Sequence, residues 1–363
     1  MGNTVTGDHQ THARTHHAVR DGHDDSHPFG SPRYGLGASL PRVYLPSELE
    51  DALGDFQTWF EELASSRRVG DAPNTFDSRT MTAFCRTLWQ TAGMDSTLGL
   101  ARATPNQRRF REVVGEYFYR SEHLRRCFEK PAGYLTDTHN LEGIYQGDTQ
   151  TRDVLGRWID RWFFADFPVF AAARNRCAIT AELLKVAQRN DAQRVMSVGC
   201  ASARELELAH PEFFERILLL DADAAALEYS AELLREATVP APTIQPVRAR
   251  GHQLWFEDTD VAPGTIDLAY SLNRFEDLDD RLARELAERV WRTVRPGGAM
   301  VIGNLNGHHW GRYVLEAVMD CFLVYRDPDE LEGLTERLPR VSDRQVLTDT
   351  TGIAHLLVVR KGI

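Results

Sequence analysis

Apolar positions recur at helical spacing through the first third of the chain. Leu49, Leu53, Phe56, Phe60 and Leu63 make one stripe, three or four residues apart as an amphipathic helix requires. Ser47-Glu48-Leu49-Glu50, behind Pro46, forms a capping box at its start. A second helix is expected from Asp77 or Ser78, with Met81, Phe84, Cys85 and Leu88 on one face. A third begins at Thr104-Pro105, Thr as N-cap and Pro in the first turn, and buries Phe110, Val113, Val114, Tyr117 and Phe118. A short helix over 121–128 ends before Pro131. Residues 131–150 lose the period. Their glycines and interleaved aromatics predict an ordered loop or lid. A long helix or helix pair then runs from Asp153 to Ala187, broken at Pro168, with Trp158, Ile159, Trp162 and Phe163 on one side. Arg174-Asn175-Arg176 is a polar cluster within it and needs partners.

From Arg194 the pattern changes to short apolar runs alternating with helical stripes. The strands expected are Val195–Val198, Ile217–Leu220, Thr243–Val247, Ile266–Ser271 and Ala299–Leu305. Between them lie helices from Arg204, around Leu227 and Leu234 with Asp223 as N-cap, and along Leu282, Leu286, Val290 and Trp291 up to Pro296. A helix near Tyr313–Phe322 and a terminal antiparallel hairpin, 345–350 with 353–360, complete the chain. Strands alternating with helices predict a mostly parallel sheet covered on both faces. The expected division is a polar tail (1–40), a helical region (41–130), a lid with connecting helices (131–190) and a Rossmann-like α/β domain (191–363).

Composition narrows the function. The chain has 42 basic and 53 acidic residues, a net charge of −11, whereas phosphate-gripping nucleic-acid binders carry a basic excess. No apolar run reaches the ~20 residues of a membrane span, and no signal-peptide core opens the chain. Five scattered cysteines without a CxxC pair point to reduced thiols in the cytoplasm. Six of the 13 histidines, His9, His12, His16, His17, His23 and His27, fall in the tail. With nothing apolar to order them, they predict a solvated disordered segment and no metal site. Met1-Gly2-Asn3-Thr4-Val5-Thr6 fits a myristoylation pattern, but that pattern is loose and one acyl chain anchors weakly.

The chemistry gathers at residues 194–223. An apolar strand ends at Gly199, a small-residue loop follows (Cys200, Ala201, Ser202, Ala203), and the next strand ends in Asp221, followed by Ala222. The acid lies about twenty residues after the glycine, where a ribose diol needs an acceptor. A dinucleotide site wants three glycines, so that backbone can approach the pyrophosphate. Here alanines stand at 201 and 203. S-adenosylmethionine (SAM) has a ribose and no phosphate, and the spacing favours it over NAD.

The same residues resemble the class I SAM-dependent methyltransferases over 194–302. Gly199 to Arg204 is similar to their first motif, Asp221 to their ribose acid, and Asp267–Leu272 to their fourth-strand motif. Val294-Arg295-Pro296-Gly297-Gly298 is similar to the L-x-P-G-G element before strand five. The resemblance implies a seven-stranded, mostly parallel sheet with an antiparallel terminal strand. A narrower resemblance covers about 129–335. It rests on Glu129-Lys130-Pro131-Ala132-Gly133-Tyr134 with Asp137 and Ile144-Tyr145, on Ala173-Arg174-Asn175-Arg176, and on Ser202-Ala203-Arg204-Glu205. Ile302-Gly303-Asn304-Leu305 and Leu323-Val324-Tyr325-Arg326 complete it. These elements resemble bacterial methyltransferases of hydroxy-fatty-acid methyl ester (extracellular factor) synthesis, a group that also includes enzymes cyclising SAM into azetidine-2-carboxylate or 1-aminocyclopropane-1-carboxylate. The chain departs from that group at Ala201, at Thr136 and at His308-His309.

Candidate roles follow. Gly199, Cys200, Ala201, Asp221 and Ala222 form the cofactor loop, with Ser271 and Asn273 at the open end of strand four. Tyr134 and Tyr145 can face a sulfonium or pack the lid. Asp137 can meet the cofactor amine or cap a loop. Arg174 and Arg176 can clamp a carboxylate of cofactor or substrate or form an ion pair. Asn304, Tyr325 and Arg326 are expected near the substrate, with a salt bridge the alternative for Arg326. His139, His308 and His309 are candidate bases. The expected activity is methyl transfer to a small acid or hydroxy acid. The alternatives are SAM cyclisation with release of methylthioadenosine and, more remotely, SAM binding without catalysis. The sequence sets neither the acceptor nor the oligomeric state.

Overall fold

A computed structural model describes residues 47–65, 77–92, 104–147, 150–237, 242–249 and 261–363. The expected tail over 1–40 lies outside the described residues. Six helices come first: α1 Ser47–Ser65, α2 Ser78–Ala92, α3 Pro105–Phe118, α4 Glu122–Glu129, α5 Thr138–Gln146 and α6 Val154–Asp166. α7, Pro168–Arg189, leads into the sheet: β1 Arg194–Val198, α8 Arg204–Leu208, β2 Arg216–Asp221, α9 Ala224–Glu236, β3 Thr243–Arg248, β4 Ile266–Ser271, α10 Asp280–Thr293, β5 Val294–Leu305, α11 Gly311–Met319, α12 Pro328–Gly333, β6 Val341–Thr348 and β7 Ala354–Lys361.

The strands form one seven-stranded sheet in the order β3-β2-β1-β4-β5-β7-β6. β1 to β5 run parallel, and β7 lies antiparallel between β5 and β6. This is a Rossmann-like α/β fold with an N-terminal helical region. Ile217 to Leu220 in β2 are all buried, as a parallel strand covered on both faces requires. Chain order reverses between β1 and β4, and the crevice at that switch point is where such sheets bind ligands.

Three apolar clusters hold the molecule. One packs α10 and α12 on one sheet face, and another packs α8 and α9 on the opposite face. The largest joins α1 to α7 and α11, and it includes Ala201, Leu305 and Ile353. Those three residues sit at the carboxyl ends of β1 and β5 and at the turn before β7. The helical region is therefore a roof over the ligand-binding edge. Inside it Phe56, Phe60, Phe110 and Phe118 pack ring to ring.

The structure corrects several expected boundaries. The lid is not a loop throughout 131–150, because residues 138–146 are helical. Asp137 caps α5, its carboxylate accepting the Asn140 N–H at 2.9 Å, and Gly147 ends it in the left-handed region at φ 65°. The helix expected to reach Pro296 ends at Thr293, and β5 starts at Val294, since a residue before proline avoids helical backbone. There a Cβ on Gly298 would stand 2.7 Å from the Asp267 carbonyl oxygen, so β4 and β5 meet only around a glycine. The terminal hairpin opens at Val341, four residues before the expected start, and α11 runs from Gly311 to Met319. The short α12 follows no apolar stripe; the capping box of Asp327 and Glu330 makes it.

Gly156 seats α6 against the chain before α4. A Cβ there would overlap the Arg120 carbonyl and stand 2.6 Å from Thr151 Cγ2. Gly156→Ala is expected to cost about 1–3 kcal/mol, read as a lower urea midpoint with an unchanged slope.

Candidate active site

The cofactor loop is the tightest turn on the carboxyl edge. Gly199, Ala201 and Ala203 adopt φ values of 69°, 46° and 50°. For the two alanines the left-handed region costs about 1–2 kcal/mol each, and it persists because the loop is pinned. The Gly199 and Cys200 N–H groups donate to the Leu220 carbonyl at 2.8 and 3.1 Å. Cys200 is buried against Ser230, Sγ to Oγ 3.7 Å, so its thiol faces α9 and leaves the mouth of the loop to backbone and small side chains.

Asp221 links the loop to β2. Its two carboxylate oxygens accept the Ala201 N–H at 3.2 Å and the Asp223 N–H at 3.0 Å. Burial pushes its carboxyl up, and these two donors hold it back. A carboxylate has about four acceptor sites, so two remain for a diol. Ala222 lies between the two acids and packs partly on the core beneath. Tyr134, in the turn before α5, donates its hydroxyl to Asp223 Oδ2 at 3.0 Å. Burial and the Asp221 and Asp223 charges push that phenol well up, so it stays protonated. The lid is thereby laid over the acid end of β2.

α5 is fastened to the loop by a second contact. Glu142 pairs with Arg204 in the first turn of α8, and Arg204 also holds Glu207. Tyr145, on the same helix, is half-buried, and desolvation pushes its phenol well up, with Cys177 and Glu205 adding to it. Arg174 reaches α5 with a single hydrogen bond to the Ile144 carbonyl at 3.2 Å. Desolvation alone lowers it, and among the described residues no carboxylate pairs with it. A half-buried guanidinium without an acid suits a ligand carboxylate.

The other expected arginines are held internally. Arg176 is 3% exposed and donates to Glu276 and to the Asn273 side-chain oxygen. Asn273 is thus oriented at the end of β4. Burial pushes Glu276 up against the pull of Arg176. Arg326, 2% exposed, donates to the Phe275 and Leu278 carbonyls at 2.8 and 2.7 Å and to Asp280. It staples the 320–327 segment to the start of α10. Asp137 likewise faces α4, 3.0 Å from Arg126.

Several buried polar atoms at the carboxyl edge lack partners: Ser271 Oγ, both amide atoms of Asn304, the Tyr325 hydroxyl and both ring nitrogens of His309. Such orphans in a site await a ligand or water. His309 stands 6.4 Å from Tyr325, ring to ring, and Arg312 lies 4.7 Å over that phenol. His308 and His139 are exposed. His308 lines a cavity with His309, while His139 sits on the outer face of α5. The sequence therefore brings Gly199, Ala201, Asp221, Tyr134, Asn273 and Ser271 together and leaves His139 outside.

Sequence reasoning passed over Glu205. It is 4% exposed at the start of α8, accepts the Tyr270 hydroxyl at 2.8 Å, and burial pushes it up to about 7. Its only signal was its place in the Ser202–Glu205 resemblance.

Residues 196–302 match the methyltransferase domain family. This segment carries the methyltransferase-domain match. Its cofactor is S-adenosylmethionine, and the loop fits it. Asp221 retains acceptors for the ribose, and the loop lacks the further glycines that a pyrophosphate site uses. The domain accounts for less than half of the chain; the fold match is wider. A possible exported protein from Bordetella parapertussis is 16% identical, with 90% of this chain and 100% of that chain covered at a TM-score of 0.52. The Burkholderia thailandensis 1,6-didemethyltoxoflavin-N1-methyltransferase is 13% identical, 52% of this chain and 79% of that one covered, TM-score 0.38. The [4+2]-cyclase SpnF is 13% identical, with 52% and 81% covered and a TM-score of 0.38. No curated protein matches the chain. Among the described residues no helix is long and apolar enough to cross a membrane.

Glu205 makes stability depend on pH. Its folded value, about 7, lies above the unfolded ~4.3. Its contribution is fully present below pH ~4.3 and is lost as pH rises through about 7, on the order of 3 kcal/mol. From pH 5 to 8 the wild type is expected to lose stability relative to Glu205→Gln in denaturant titrations; parallel curves contradict this.

Proposed function

We propose that the protein is a SAM-dependent methyltransferase that acts in the cytoplasm on a small acid or hydroxy acid of natural-product type. In kind it is nearest to the enzymes of hydroxy-fatty-acid methyl ester synthesis. The observation that carries the reading is Asp221, held between two backbone donors at the end of β2 with acceptor capacity left over. The net charge of −11 favours a small molecule over a nucleic acid. The five free, buried cysteines support a reducing compartment.

When bound, the cofactor supplies a methyl group on a sulfonium, already activated for displacement. The protein's task is then alignment and exclusion of water. Tyr134 closes the lid over the acid end of β2 and Tyr145 offers its ring to the cationic centre. Arg174 takes a carboxylate. Arg176 acts through Asn273, fixing its side chain at the end of β4. Glu142 and Arg204 keep the lid helix on the loop.

SAM cyclisation is the second reading. It needs a folded methionine chain and a dry lid, and no room for an acceptor. The cavity beside His309 offers room for an acceptor and so supports methyl transfer.

Pure protein incubated with SAM alone is expected to give no methylthioadenosine, and S-adenosylhomocysteine is expected only when an acceptor is added. Methylthioadenosine with a cyclic amino acid would establish the cyclase instead. Removing the ribose acceptor is expected to weaken the cofactor by about 1.5–3 kcal/mol, so Asp221→Ala should raise the Kd for SAM by roughly ten- to a hundredfold in calorimetry.

A further inference from the structure

The cavity lined by His308 and His309 lies between α2, the turn after β5 and the β6–β7 turn. It measures about 600 Å³, inside the roughly 300–1,000 Å³ of small-molecule sites. Trp89 and Trp310 supply its aromatic walls. Trp310 is fixed by the core, its ring 6.0 Å from Trp162 and 5.8 Å from Phe167. Rigid indole surfaces suit a flat apolar ligand.

The polar groups set the ligand's charge. Arg86 lines the cavity with an exposed side chain, and among the described residues it has no acidic partner. No Asp or Glu is among the described residues lining the cavity, although the chain carries 53 of them. An acid-free cavity with one unpaired guanidinium selects an anion. At the same wall the His309 ring nitrogens are buried. Burial lowers that imidazole to about 4, so at neutral pH it offers one donor and one acceptor.

We infer that this cavity is the acceptor site and takes a planar aromatic carboxylic acid, its ring against Trp89 and Trp310 and its carboxylate on Arg86. The name acceptor site rests on the methyl-transfer reading; the ligand chemistry rests on the cavity alone. α2 then contributes to substrate choice, a role separate from the cofactor domain.

The test is calorimetric titration of the intact protein, without SAM, with 2-naphthoate and its neutral isostere 2-naphthamide. The naphthoate is expected to bind about tenfold more tightly, as a charge-assisted contact worth ~1.4 kcal/mol gives. Arg86→Gln, an exposed substitution, is expected to erase that difference and leave the amide's affinity unchanged. Equal affinities unaffected by Arg86→Gln, or no binding of either probe at millimolar concentration, overturn the inference. SAM titrated separately reports on the cofactor site, so failure of one reading is distinguishable from failure of the other.

Discussion

The carboxylate of Asp221 is the point on which the cofactor site depends. A parallel sheet ends at its carboxyl edge, where the backbone leaves the ladder and its N–H groups need new partners. Asp221 supplies them for Ala201 and Asp223. It thereby holds Ala201 in backbone that ordinarily favours glycine. The same contact fixes where the loop's open side faces. The turn is thus built with one glycine and without the further glycines that a pyrophosphate site uses.

Around this point the helical roof covers the carboxyl edge of the sheet. The lid is fastened twice, by Tyr134 on Asp223 and by Glu142 on Arg204. Arg176, Glu276 and Asn273 form a buried set that carries the end of β4 into the site. Breaking such a pair strands a charge in the interior, so the set is rigid. Arg174, two residues earlier on α7, lacks an acid among the described residues and is left for a ligand. Two arginines on one helix thus differ: Arg176 gives internal support, and Arg174 has no carboxylate partner among the described residues.

Much of this was legible in the residues. The helical stripes of α1, α2 and α3 follow directly from apolar spacing, and the alternation after Arg194 gives the parallel sheet. Gly199 and Asp221 read as a nucleotide site because strand, glycine, helix, strand and acid occur at fixed spacing. The lid helix was not legible. Leu141, Ile144 and Tyr145 are too few to establish a period between Gly133 and Gly147, and the capping by Asp137 decides it. Nor were the partners of Arg176 and Arg326 legible, since Glu276 and Asp280 lie about a hundred and about fifty residues away along the chain, respectively. Glu205, on α8, is hydrogen-bonded by Tyr270 of β4, and no local pattern encodes that.

The central claim is that the loop from Gly199 to Ala203, together with Asp221, holds a ribose-bearing ligand without a pyrophosphate. Calorimetric titration of the intact protein with SAM and, separately, with NAD tests it most directly. One-to-one binding of SAM and no binding of NAD are expected. Binding of NAD with none of SAM would contradict it.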